Sequence, residues 1–160
     1  MATDMFIKVG DVKGESPDDA HKDEIEVLSW SWGISQPGSM ESGGGSGMGR
    51  ASFYDLNFLH RLDKASPNLM KLCSTGEHVD EAKLTVRKAG KDPQEFMVMT
   101  MEKVFVTQVT PSGSNGDGGL TESVNLQFAK VGIEYCPQKE DGSLDAAVSF
   151  NYDIKANKLE

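Results

Sequence analysis

Three histidines are the first residues that could carry out acid–base chemistry or bind a metal ion. His21 lies in a polar loop, His60 at the end of a predicted strand, and His78 just after a predicted helix. None of them has a second histidine or a cysteine at the short spacing that zinc sites use. We therefore predict that all three are ordinary surface or boundary residues.

The residues available for covalent catalysis give no stronger signal. Cys73 lies in a helical pattern and Cys136 at the end of a predicted strand, and no serine stands in a Gly-x-Ser-x-Gly motif. Two cysteines are too few for a disulfide framework, and they favour two reduced, buried thiols in a protein that folds in the cytosol. The sequence gives no positive evidence for an enzyme.

Three further patterns resemble ligand sites. Met97, Met99 and Met101 alternate as Cu(I) thioether ligands could, but in a strand they form one apolar face, which we favour. Residues 115–118 with Glu122 lack the regular acidic ligands of a calcium loop. Residues 44–50 have the glycine spacing of a phosphate loop but lack its Lys-Ser/Thr, and a strand follows. We predict no metal and no cofactor.

The composition limits which functional classes of protein remain possible. The 160 residues predict a single domain, 1–160, which can bury about 70% of its unfolded surface. The formal charge is −9, without clustered Lys and Arg, which disfavours nucleic-acid binding. No apolar run approaches the ~20 residues that cross a bilayer, and the start has no signal-peptide pattern. The final Leu159 and Glu160 fit a cloning remnant, so we give them no weight.

Hydrophobic alternation predicts a mainly β fold. Residues 66–76 form the one predicted helix, with Ser66 as cap, Pro67 at the first position and Gly76 at the end. A change of parity predicts a kink or bulge near residues 129–130. Seven or eight strands and one helix indicate a β-barrel or sandwich with an external α-helix. The strand-like segments are 5–9, 24–33, 51–59, 82–88, 95–110, 124–135 and 148–155.

Residues 24–33 contain both tryptophans. At a period of two, one face carries Leu28, Trp30 and Trp32, which we predict to fill the core. The opposite face begins with apolar residues and ends with Ser29 and Ser31. We therefore expect this face to be buried at its first end and exposed to solvent, or in contact with a polar surface, at the other.

A glycine-rich segment from Gly38 to Gly49 follows this strand. It cannot form a core, yet it is long for a loop in a compact domain. Two interpretations remain open: a flexible arm that orders against a neighbouring molecule, and a disordered linker.

Seven segments of the chain form a recognisable series: residues 10–16, 25–33, the glycine-rich arm, 66–70, 88–90, 120–122 and 135–138. Taken together and in this order, they resemble the haemolysin-coregulated protein (Hcp) family, whose members form the inner tube of the bacterial type VI secretion system. The resemblance covers essentially the whole chain. It implies a phage tail-tube-like β-barrel with one external helix, and hexameric rings that stack into a tube and carry effectors without catalysis.

The resemblance also implies partners and surfaces. The expected partners are further copies of the chain, secreted effectors, and the spike, sheath and baseplate of the apparatus; the protein would leave the bacterial cytoplasm without a cleaved signal. Ser29 and Ser31 are then candidates for the lumen wall. The candidate ring or stacking interface is Gly38, Met40, Gly43, Gly44, Gly45, Gly47, Met48 and Arg50. The alternative is a β-sandwich module that binds a small molecule or a protein without assembling.

Overall fold

The fold of this computed structural model is mainly β with one helix, which confirms the predicted class. The structure describes residues 2–38, 49–116 and 118–160. Its elements are β1 (Thr3–Val9), β2 (Ile25–Glu26), β3 (Ser29–Ser31), β4 (Ile34–Ser35), β5 (Ser52–Phe53), β6 (Leu56–Arg61), α1 (Ala65–Thr75), β7 (Val79–Lys88), β8 (Gln94–Gly113), β9 (Leu120–Tyr135), β10 (Val148–Asp153) and β11 (Lys158–Leu159).

Strand β9 is the centre of the antiparallel sheet. It pairs with β8 over its whole length, and its other edge pairs first with β6 and then with β10. The sheet order is β11-β10-β9-β8-β7-β1-β2, with β3 added on β6, while β4 and β5 form a separate pair. Within the described residues the pairing does not close into a barrel, so that part of the prediction is not confirmed.

The predicted strand at residues 24–33 is divided into β2 and β3. The Val27 N–H donates to the Met5 carbonyl in β1, and the Leu28 N–H donates to the Leu59 carbonyl in β6. The chain therefore changes partner strand between these two residues. A straight strand keeps strict alternation, but this change breaks it.

This change of partner corrects the predicted core. Leu28 is 38% exposed, so its predicted core position is wrong, whereas Ile25 and Val27 on the opposite parity are buried. Trp30 and Trp32 are partly buried and pack against the core. The core cluster consists mainly of aliphatic side chains from the long strands and includes Leu56, Phe58, Leu69, Leu84, Met99, Met101, Val104, Val124 and Leu126.

Helix α1 ends where the sequence predicts but begins earlier. Gly76 has φ 69°, and its N–H donates to the Leu72 carbonyl, so it ends the helix in the left-handed conformation that glycine favours. Ser66 is not the cap, because it lies inside the helix. The carboxylate of Asp63 instead accepts the Ala65 N–H at 2.9 Å. An aspartate supplies the capping oxygen three residues before the predicted serine.

Strands β8 and β9 exchange their buried faces together. Burial moves from even to odd positions between Phe128 and Val131, as the predicted change of parity requires. No register shift accompanies it, because β8 makes the same change opposite, at Lys103, whose φ is 54°. Of the two predicted alternatives near residues 129–130, the change of buried parity agrees with a kink, and a bulge that shifts the register is not found there. The register shifts elsewhere, beside Thr107 in β8.

Candidate functional site

The serines that the sequence predicts for a wet surface lie on β3. Ser29 pairs with Leu59 of β6 and Ser31 pairs with Asn57, and both serines are exposed. Trp30 between them lies opposite Phe58, and packs inward against the core. Alternation holds over these three residues because β3 has one partner strand throughout.

The two serines belong to a larger surface that we call the polar face. Residues that pair across neighbouring strands point to the same side of the sheet. Two rows of such paired residues run across β3, β6, β9 and β8. The rows are Ser31, Asn57, Asn125 and Gln108, and Ser29, Leu59, Ser123 and Thr110. Seven of these eight side chains are polar and uncharged.

Amide side chains join three strands of the polar face. The Asn57 Nδ2 donates to Asn125 Oδ1 at 2.6 Å and to Ser123 Oγ at 2.8 Å. The Asn125 Nδ2 then donates to Gln108 Oε1 at 3.0 Å. Each amide thus satisfies its neighbour, and no described side chain bonds to the Ser29 or Ser31 hydroxyl. These two rows offer a partner hydroxyls and neutral dipoles without a formal charge, and the charged Arg61 follows them on the same side of β6.

Sequence reasoning found only the β3 part of this face. The signal for the rest was present in the alternation of Asn57, Leu59 and Arg61 against Leu56, Phe58 and His60. The same alternation occurs at Thr121, Ser123 and Asn125 in β9. What the sequence could not give is the register that places these strands side by side, since that depends on long-range pairing.

Most of the predicted interface residues lie outside the described part of the chain. Of the eight candidates, the structure describes Gly38 and Arg50, and both are exposed. Met40, Gly43, Gly44, Gly45, Gly47 and Met48 fall in residues 39–48, which are not described. The interface assignment therefore stays a prediction.

Two of the three histidines contradict the prediction of surface positions. His21 is 7% exposed and stacks on Phe6, with its ring nitrogens 2.8 Å from Glu24 and 2.7 Å from Glu95. His60 is fully buried and lies 2.9 Å from Glu122. Carboxylate oxygens within hydrogen-bonding distance of the ring nitrogens compensate the burial of both side chains. His78 is exposed, as predicted.

Arg87 binds the polar loop, residues 11–23, to the sheet, and this loop contains His21. Its guanidinium bonds to both carboxylate oxygens of Asp18 and to Asp4, and lies 4.8 Å from the centre of the Phe6 ring. The hydrogen bond from Arg87 is the main cause that lowers the pKa of Asp18, and the bond to Asp18 raises the pKa of Arg87. These contacts fix a long surface loop.

The other candidate sites take structural roles. Met99 and Met101 are buried in the core, which confirms the apolar-face interpretation. Glu122 points into the core toward His60, so it does not belong to a calcium loop. Cys73 and Cys136 are free and partly buried. Among the described residues, no group of three His, Cys, Asp or Glu side chains could hold a metal ion.

Comparisons with known proteins agree with this architecture. Residues 6–135 match the family model described as "Type VI secretion system effector, Hcp". Protein hcp1 of Pseudomonas aeruginosa is 52% identical over 159 residues, which cover 98% of each chain. The crystal structure of Hcp1 from Salmonella typhimurium is 40% identical, covers 100% of both chains and has a TM-score of 0.79.

A second solved structure shows that the likeness in fold is close. It is described as a type six secretion system protein, is 29% identical, covers 99% of this chain and 100% of its own, and has a TM-score of 0.93. No helix in the described residues is long and apolar enough to span a bilayer. With a family model that covers most of the chain and a relative 52% identical over nearly its full length, the chain belongs to the Hcp family of type VI secretion system proteins.

Proposed function

We propose that this protein is a structural subunit of the type VI secretion tube. Six copies form a ring, the rings stack, and a contractile sheath expels the resulting tube from the bacterial cytoplasm together with effectors in its lumen. Membership of the Hcp family carries this proposal. Spike, sheath and baseplate proteins are the further partners that such a role requires.

The edge of the sheet supports assembly with other copies. In the described chain, β11 at the end of the sheet pairs with β10 alone. This pairing covers only Tyr152 and Asp153 of β10, and Val148 at the start of β10 is 66% exposed, so an apolar side chain lies beside an unpaired backbone edge. Such an edge recruits another strand unless a partner covers it. A neighbouring copy of the chain is the partner that we propose.

The polar face supports the proposed lumen. A lumen wall must hold water and touch diverse cargo without binding one protein too tightly. Neutral hydroxyls and amides meet this need, because they form modest hydrogen bonds and give no strong repulsion to cargo of either charge. We place Ser29 and Ser31 toward the lumen on this ground. The glycine-rich arm is proposed to contact an adjacent protomer or the next ring.

A small-molecule binding module is the alternative, and the cavities of the structure give it little support. One cavity of about 1080 Å³ lies between the polar loop, α1 and β7. Many of its lining side chains are charged, among them Lys8, Lys71, Glu77 and Glu81. Ligand pockets are mostly apolar with a few polar groups, so this cavity is a poor match.

Particle size decides between the two functions. Light scattering after size-exclusion chromatography should give a mass near six times the 17.4 kDa of one chain, and negative-stain microscopy should show rings. A module that does not assemble would elute as a monomer or dimer. A monomer at all concentrations tested would refute the tube proposal.

A further inference from the structure

A fully buried pair of ionisable residues lies where β6 meets α1. His60 of β6 pairs in register with Glu122 of β9, and both side chains are 0% exposed. The His60 Nε2 lies 2.9 Å from Glu122 Oε1, and it donates this hydrogen bond when Glu122 is ionised, since an ionised carboxylate only accepts. Among the described residues, His60 Nδ1 and Glu122 Oε2 have no hydrogen-bond partner. Buried polar atoms are rarely left unpaired, so this pair is incomplete.

The unpaired nitrogen faces a third residue. His60 Nδ1 lies 3.8 Å from Asp63 Oδ2, which is too far for a hydrogen bond but within reach of a small movement. The other oxygen of Asp63 accepts the Ala65 N–H at the start of α1. A bond between His60 and Asp63 would therefore connect the end of β6 directly to the first turn of the helix.

Negative charge is in excess around this gap. Besides Glu122 and Asp63, the carboxylate of Glu15 lies close, where it accepts the Lys64 N–H at 2.8 Å. Burial is the main cause that raises the pKa of Asp63; Glu15 and Glu122 add to it, and the Ala65 N–H and His60 oppose it. Glu26 and Arg61 line the same small cavity as Glu15 and Asp63, and His60 is the titratable base that lies between Asp63 and Glu122.

We propose that His60, Asp63 and Glu122 form a proton-binding switch in which one added proton bridges His60 Nδ1 and Asp63 Oδ2 and tightens the junction of β6 with α1. The proton comes from solvent. The added proton is shared between His60 Nδ1 and Asp63 Oδ2, so the 3.8 Å gap shortens to a hydrogen bond while His60 Nε2 keeps its contact with Glu122. Without this proton, the gap stays open.

The direction of the pH effect follows from the bridge, which can form only in the folded protein: the proton binds more tightly there, so the folded state gains stability as pH falls. The pKa of Asp63, raised mainly by burial, acts in the same direction. This contribution is fully present below the unfolded value of 3.8 and is lost as pH rises through the raised pKa. Asp18 has the opposite effect in a lower pH range. Because its pKa is lowered on folding, its contribution to stability is present at higher pH and is lost as pH falls below the unfolded value of 3.8.

Nitrogen NMR of the full-length protein with labelled histidine tests the switch directly. As pH falls through the range in which the protein stays folded, the His60 Nδ1 signal should move from that of a bare nitrogen to that of a protonated one. In the Asp63→Asn variant the midpoint should shift to lower pH, because the receiving carboxylate is gone. A bare Nδ1 throughout, or an unchanged midpoint in the variant, would overturn the proposal.

Urea unfolding gives a second readout at one fixed protein concentration. Above pH 3.8, the ratio of the unfolding constants of Asp63→Asn and wild type should change with pH, by at most about tenfold per pH unit for one proton. Asp141→Asn is the matched control: its exposed carboxylate also accepts a backbone N–H, that of Ser143, and its lowered pKa leaves the ratio flat in this range. A flat ratio for Asp63→Asn would overturn the switch. If the Asp63→Asn variant does not fold, the NMR signal of His60 Nδ1 in the wild-type protein tests the proposal by itself, and a bare nitrogen at every pH would overturn it.

Discussion

Ser31 shows how one small side chain separates the polar face from the core. Its exposed hydroxyl lies on β3 directly beside Trp30, which packs inward, so the two neighbours serve opposite sides of the sheet. A change at Ser31 therefore alters the polar face without removing core contacts. The serine pairs with Asn57, the first amide of the hydrogen-bonded row, and larger side chains at residue 31 would cover that row.

Replacing Ser31 with Trp tests the proposed cargo contact. The variant should still form rings, and its free energy of unfolding should stay within about 0.5 kcal/mol of wild type, because the site is exposed. Retention of an effector that co-purifies with wild-type rings should fall, as measured by pull-down at equal ring concentration.

The matched control is Ser74→Trp, which places the same side chain on an exposed position of α1 away from the polar face. It should retain cargo. Normal retention by Ser31→Trp would refute a role for this residue in the lumen. Loss of rings by the Ser31 variant would mean that the polar face lies in a subunit interface instead.

At the scale of elements, alternation predicted which segments are strands but not where a strand changes partner. The long runs that became β7, β8 and β9 each have regular patterns and were recognised with small errors at their ends. Residues 24–33 also alternate, yet the structure divides them, because the chain passes from β1 to β6 between Val27 and Leu28. Period-two patterns hold only while one partner strand is kept.

The candidate site shows the same limit. Ser29 and Ser31 could be identified from one strand, whereas Asn125 and Gln108 are separated from them by long stretches of chain and join them only through sheet register. The buried state of His60 was missed for a related reason. Its partner Glu122 is 62 residues away in the sequence, and no local motif connects the two.

The glycine-rich arm is the element to which the family resemblance assigns contacts between copies. Deleting residues 43–49 should leave the protomer folded, with a circular dichroism spectrum and thermal transition close to those of wild type. Ring closure or stacking should be impaired, because the proposed contacts are lost. Electron microscopy at matched concentration measures this effect, and tubes of normal length from the deletion variant would contradict it.

For the whole molecule, net charge opposes the assembly that we propose. Each chain carries a formal charge of −9, and a ring of six multiplies that charge sixfold. Stacked rings must therefore overcome like-charge repulsion through apolar and backbone contacts. Salt screens charges over a Debye length of about 10 Å at 0.1 M, so repulsion between rings depends on ionic strength.

Stacking should accordingly be weaker at low salt and stronger as salt is added, until screening is complete. Sedimentation velocity at low and high ionic strength, with the same protein concentration, measures the distribution of stacks. Single rings should persist under both conditions, which separates ring formation from stacking. Equal stacking at both ionic strengths would show that charge does not control this step.

The polar face has a consequence for how fast cargo travels. Its amides already bond to one another, whereas the Ser29 and Ser31 hydroxyls have no side-chain partner among the described residues and can bind a passing chain. A few weak hydrogen bonds, each worth about 1 kcal/mol, break and re-form quickly. In the proposed tube, an effector would therefore bind each ring only briefly, and the lining would not slow its movement along the lumen.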